Sequence, residues 1–127
     1  MKSMLRGMSK LSSAVSLHPY FKVQPGKLDD FIAGFPAFIE KTKTEAGVLY
    51  YDFTLNGDIV NCREAYTDGD AALAHLDNVG ENLGKALEIA ELIRLEIHGP
   101  AAELDKMRTP LAGLNPDWFI HQTGLSV

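Results

Sequence analysis

Cysteine is nearly absent, with one residue, Cys62, in a chain of 127. No intrachain disulfide can form, so nothing in the chain requires an oxidising compartment. Positive charge is also scarce: 12 Lys and Arg stand against 17 Asp and Glu, for a formal net charge of −5. Without a basic stripe to neutralise phosphates, nucleic acid and anionic membrane surfaces are poor partners. No apolar run reaches the length of a membrane span. Residues 1–13 carry Lys2, Arg6 and Lys10 but lack the continuous apolar centre of a signal peptide. They are expected to form a flexible tail on a cytoplasmic protein. Repeats and low-complexity segments are missing as well.

What is present is a globular composition, 46% hydrophobic and 23% charged, at a length that supports one domain with a sizeable core. The organising stretch is Gly47 to Tyr66, which reads as a β-hairpin turning at Asn56-Gly57. A type I′ turn needs φ > 0 at both central residues, which Asn and Gly tolerate best. With that turn, Phe53 faces Val60 and Tyr51 faces Cys62. Alternation puts Leu49, Tyr51, Phe53, Val60, Cys62, Glu64 and Tyr66 on one face. This face is apolar except for one carboxylate. The opposite face carries Tyr50, Asp52, Thr54, Ile59, Asn61 and Arg63.

Ahead of the hairpin, Ala14 to Val23 reads as a strand in which Pro19 marks an edge or a bulge. Leu28, Phe31, Ile32, Phe35, Phe38, Ile39 and Thr42 then follow helical spacing to about Thr44. Pro36 should kink this helix near Ile32. After the hairpin, Asp68 is the expected N-cap of a second helical region, interrupted at Gly80 and Gly84. Ala72, Leu73, Leu76 and Val79 mark its buried side, with His75 at the border. Ile93 to His98 is a strand with Ile93, Leu95 and Ile97 on one face. Ala101 to Arg108 is a short helix, and Asp117 to Thr123 a fifth strand. The order is β-α-β-β-α-β, a ferredoxin-like α+β fold with an antiparallel sheet and helices on one face. Residues 14–99 form this unit, and residues 100–127 are an appendage of the same domain.

The stretches HPYFKVQPGKLDDF, TEAGVLYYDF and CREAYTDGDAALAHL resemble the antibiotic biosynthesis monooxygenase (ABM) domain family. The resemblance spans roughly Ser16 to His98 and implies a dimeric α+β barrel in which two sheets pack face to face. It also implies a homodimer acting on a small aromatic or quinol-like molecule, as a monooxygenase or oxidase without cofactor or metal. The family's Glu falls on Glu64, its aromatic on Tyr66 and its helix-two His on His75. Haem is not implied, because Tyr66 stands where the haem-degrading branch carries Trp.

Glu64 and His75 are therefore the candidate catalytic pair. A lone carboxylate on an apolar face needs a donor, and an imidazole on the covering helix supplies one. Together they could remove a proton from a phenol or enol. The same pair could equally serve as an anchor for the second helix. Tyr51 and Tyr66 are candidate donors to a substrate oxygen as well as core packers, and Phe35 is a candidate pocket wall. Cys62 reads as an inert core thiol. A non-catalytic ligand-binding or stress-response dimer, and an isomerase of the muconolactone type, are the alternatives.

Overall fold

The computed structural model describes residues 11–127, so most of the expected N-terminal tail lies outside the described residues. Its framework is a five-stranded sheet: β1 (Val15–Val23), β2 (Val48–Asn56), β3 (Ile59–Tyr66), β4 (Ala90–Gly99) and β5 (Asp117–Ile120). The strand order is β2-β3-β1-β4-β5. The first four strands pair antiparallel in the ferredoxin-like order, and β5 adds to the β4 edge in parallel. Among the described residues, five helices accompany the sheet: α1 (Leu28–Ala33), α2 (Phe35–Thr42), α3 (Gly69–Asn78), α4 (Gly80–Ala86) and α5 (Ala101–Arg108). Helices on one face of a mostly antiparallel sheet leave its other face open.

The expected first helix is two helices joined at Gly34, not one helix kinked near Ile32. Pro36 sits in the first turn of α2, where its missing N–H has no helical partner to lose. The second helical region does divide into two, α3 and α4, and Asp68 caps α3 by accepting a 2.8 Å bond from Ala71 N–H.

The hairpin turns one residue later than expected. Asn56 pairs with Ile59, so Gly57 and Asp58 are the central pair, and of these only Gly57 has positive φ (+61°). Positive φ at the first central position alone is the type II′ pattern, which Gly satisfies without help from Asn. Phe53 therefore faces Cys62, and Tyr51 faces Glu64. Each partner moves by two residues, so every side chain keeps its expected face. Leu49 is the exception. A bulge between Val48 and Tyr50 places Val48 opposite Tyr66 and leaves Leu49 exposed.

β1 occupies the middle of the sheet, which corrects the edge reading of Pro19. The chain tolerates it there because the ladder slips beside it, between Tyr20 and Phe21, and because Asn61 donates to the Pro19 carbonyl at 3.0 Å. The same slip ejects Ile93, 48% exposed, and brings Leu92 into the core instead. Two apolar clusters result under the helices. One, around Leu17, Tyr66, Ile97, Leu104 and Met107, is closed by α3 and α5. The other, around Phe21, Phe31, Val60 and Ala90, is closed by α1, α2 and α4. Between them lies the site.

Candidate functional site

Glu64 projects from β3 on the helix-covered face, opposite Leu17 of β1 and Tyr51 of β2. It is 4% exposed, and His75, in the last turn of α3, is 1% exposed above it. His75 Nε2 lies 3.3 Å from Glu64 Oε1, and the same oxygen accepts a 2.7 Å bond from the Tyr66 hydroxyl. The sequence-predicted pair is thus adjacent, although neither partner depends on the other alone.

Glu45 is the residue that sequence reasoning missed. Its carboxylate meets His75 Nδ1 at 2.9 and 3.1 Å, closer than Glu64 meets Nε2. Asn78, one turn past His75, donates to Glu45 Oε2 at 2.8 Å and to the Lys41 carbonyl at 2.9 Å. A close approach of backbones sets this geometry. Gly47, two residues after Glu45, passes so near α3 that a Cβ there would lie 2.5 Å from the Ala71 Cβ. Only glycine lets the loop run against the helix, and that contact brings Glu45 to the imidazole. The signal in the sequence was faint: one Glu in the segment TEAG before the hairpin.

The imidazole is flanked by two aromatic rings, with centroids 5.1 Å away for Tyr51 and 4.9 Å for Tyr66. Burial dominates the electrostatics of the whole group. It pushes the Glu64 carboxyl up to about 7, and bonds from Tyr66 and Cys62 hold it from rising further. Burial lowers His75 below the ordinary imidazole value, against the pull of the Glu45 carboxylate. It also raises the Tyr51 and Tyr66 hydroxyls and the Cys62 thiol, leaving all three protonated at neutral pH. At pH 7 the imidazole is thus neutral, with Nδ1–H directed at Glu45. Glu64, pushed up to about 7, is ionised in part of the molecules, and in those Nε2 carries no proton and is free to accept one. Glu64 and His75 thus form an acid–base pair that burial holds near neutrality.

The pair opens onto a cavity of about 60 Å³ between sheet and helices. Tyr51, Cys62, Glu64 and His75 are the polar groups of its wall, and the remaining lining is aliphatic and aromatic. Tyr66 and Phe35 are not part of that wall. Tyr66 stands behind Glu64 as its donor. Phe35 stacks on Phe53 at 4.0 Å, and Phe53 in turn forms the wall. Among the described residues no three His, Cys, Asp or Glu side chains are grouped to hold a metal. No helix among them is long and apolar enough to cross a membrane.

The open face of the sheet carries a second polar cluster. Glu96 accepts from Arg94 at 2.6 Å and lies 3.1 Å from His98 Nε2. The His98 ring stacks on Phe119 at 4.5 Å and meets His18 edge-on at 4.6 Å.

A family model described as antibiotic biosynthesis monooxygenase matches residues 14–80. Among solved structures, MupZ from Pseudomonas fluorescens is 41% identical over 91% of this chain and 95% of its own, with a TM-score of 0.87. A conserved protein from Methanosarcina mazei Go1 is 22% identical, covering 68% of this chain and 92% of its own, with a TM-score of 0.61. Rv0793 from Mycobacterium tuberculosis is also 22% identical, covering 69% and 95%, with a TM-score of 0.61. These last two share the fold alone. No curated protein matches the sequence.

Proposed function

Because the chain belongs to the antibiotic biosynthesis monooxygenase family, we propose that it is an acid–base enzyme that oxidises a small aromatic or quinol-like molecule with dioxygen and without a cofactor. One observation carries the reading. The relay Glu45–His75–Glu64 opens onto an apolar cavity, so a neutral base faces bound substrate with its charge balance prepared in advance.

In this reading His75 Nε2 takes a proton from an activated C–H of the substrate, made acidic by a neighbouring phenol or enol. The imidazolium that forms lies between the carboxylates of Glu45 and Glu64, which stabilise it. Dioxygen adds to the carbon of the substrate anion, and the relay returns its proton to the peroxide. Loss of water then leaves a carbonyl. The balance closes: a methylene carbon and one dioxygen give one carbonyl and one water, with carbon oxidised and both oxygen atoms reduced. Tyr51 lines the cavity with its hydroxyl kept protonated, and in this reading it donates to the developing oxyanion.

A second reading shares the proton step. Glu64, titrating near 7, can both accept and return a proton, which suits a redox-neutral isomerase of the muconolactone type. Oxygen-electrode assays with a panel of hydroquinones and dihydroxynaphthalenes test both. One O2 consumed per product, lost in His75→Ala, supports the oxidase. Product formed without oxygen uptake supports the isomerase. Binding without any product would overturn both in favour of a ligand-binding protein.

We also propose that the chain is a homodimer through the open sheet face. Tyr20, Tyr50 and Ile59 lie there beside charges of both signs, including the Arg63–Asp52 pair at 3.6 Å. A two-fold axis would let each positive group meet a negative group of the partner. Such an interface would bury on the order of 2,000 Å². Light scattering at micromolar concentration decides, and a mass of 13.9 kDa would refute it.

A further inference from the structure

The cavity that holds the relay is small. At about 60 Å³ it has room for about two waters at roughly 30 Å³ each and is smaller than the roughly 150 Å³ that encloses a benzene ring, so a ring entering it reaches past its walls. A ligand larger than one ring must leave it somewhere, and the structure provides an exit.

A second cleft of about 380 Å³ lies against the N-terminal half of β4, bounded by Arg94, Asn115 and Asp117. Leu92, Leu95 and Leu114 line both this cleft and the cavity, so the two spaces share part of a wall. Leu114 belongs to the 3₁₀ turn Ala112–Leu114 and is 40% exposed, the least confined of the three.

The cleft exists for identifiable reasons. β5 pairs with β4 only along Glu96–Gly99, so the Leu92–Leu95 stretch has no strand partner on its outer side among the described residues. Its backbone N–H and C=O groups are available there. The ladder slip turns Ile93 outward, and Asn115, at φ 50°, swings the chain away from the edge before β5 begins. Charge defines what the cleft accepts. Arg94, the one cation lining it among the described residues, is already paired with Glu96 at 2.6 Å and Asp117 at 3.4 Å. What remains is an amide and backbone hydrogen-bonding capacity.

The geometry points to an elongated ligand, with a ring-sized apolar end beside Glu64 and His75 and an uncharged, oxygen-bearing chain passing Leu114 into the Arg94–Asn115–Asp117 cleft. This rests on the acid–base reading of the cavity and adds the shape and polarity of the molecule it takes. The C-terminal appendage then acts as the specificity element, since it supplies Leu114, Asn115 and Asp117 from outside the residues matched by the family model.

Two probes test it by calorimetry: p-cresol, and p-cresol extended at its methyl carbon by a diethylene glycol chain. The extended probe should bind at least tenfold more tightly to the native chain. Ile93→Trp, which fills the cleft from an exposed position, should cut that advantage below threefold. Asn115→Gly, which keeps the left-handed backbone, should reduce it while moving p-cresol affinity less than twofold. Equal affinities for the two probes, or an advantage that survives Ile93→Trp, would overturn the inference and leave the acid–base reading intact. Failure of p-cresol itself to bind would remove both.

Discussion

Two glutamate–histidine pairs lie on opposite faces of one sheet, at almost the same separation. Glu64 and His75 are 3.3 Å apart on the covered face, and Glu96 and His98 are 3.1 Å apart on the open face. Their chemistry diverges completely. Glu64 is pushed up to about 7 by burial, whereas the Arg94 guanidinium and then His98 hold Glu96 below the usual carboxylate range. Distance between partners therefore does not make a reactive pair. Removal from water does, because it penalises the charged form and strengthens each remaining interaction.

The sharpest way to break this comparison is to disable each pair in turn. Glu64→Gln and His75→Ala should each lower turnover by about 10²–10⁴-fold, the range for a positioned acid or base. Glu96→Gln should leave kcat within about twofold. Equal losses from both faces in a steady-state assay would mean that burial is not what distinguishes the two pairs.

The next largest effect is on pH dependence. Glu64 has a folded pKa above its unfolded value, so the folded state binds the extra proton between about 4.5 and 7. Stability from this residue is therefore greatest at the acid end and declines as pH rises across that window. Glu64→Gln should abolish a decline of about 3 kcal/mol at most, at about 1.36 kcal/mol per unit. Glu96 behaves oppositely: its folded value is lowered, so its small contribution is lost as pH falls through the acid range. Urea titrations at a series of pH values read both slopes, and slopes of the same sign would contradict the contrast.

Glu45→Ala comes third. It leaves the buried His75 Nδ1–H without its acceptor and the part-buried Asn78 amide with the Lys41 carbonyl alone, at a cost of about 1–3 kcal/mol. Denaturation midpoints measure it, and no change would mean that water replaces the carboxylate.

The smallest effect belongs to association. Glu96→Gln should weaken the proposed dimer by about tenfold, equivalent to about 1.4 kcal/mol, without altering the fold. Sedimentation at several concentrations reports it, and an unchanged dimer would place the interface elsewhere.

Much of the covered face was legible in the chain itself. Strict alternation fixes which hairpin residues share a side, and that parity survives a wrong turn assignment, so Glu64 reached the core face whether or not Asn56 was a central residue. The Asp68 cap and the helical spacing after it carried His75 to the same place, because capping and periodicity act over one or two turns of chain. Glu45 was not legible. It lies 30 residues from His75 in sequence, and their contact depends on Gly47 sliding against Ala71, which no local pattern encodes.

What the sequence determined by itself, then, is the β-α-β-β-α-β order and the face on which each strand residue lies, since both follow from interactions between near neighbours. Tertiary structure alone decided the break at Gly34, the bulges that exchanged Leu49 for Val48 and Ile93 for Leu92, and the volume left between sheet and helices. It also decided that one Glu–His pair is dry and the other is not. Desolvation is a property of everything packed around a group, and that exists only once the chain has folded.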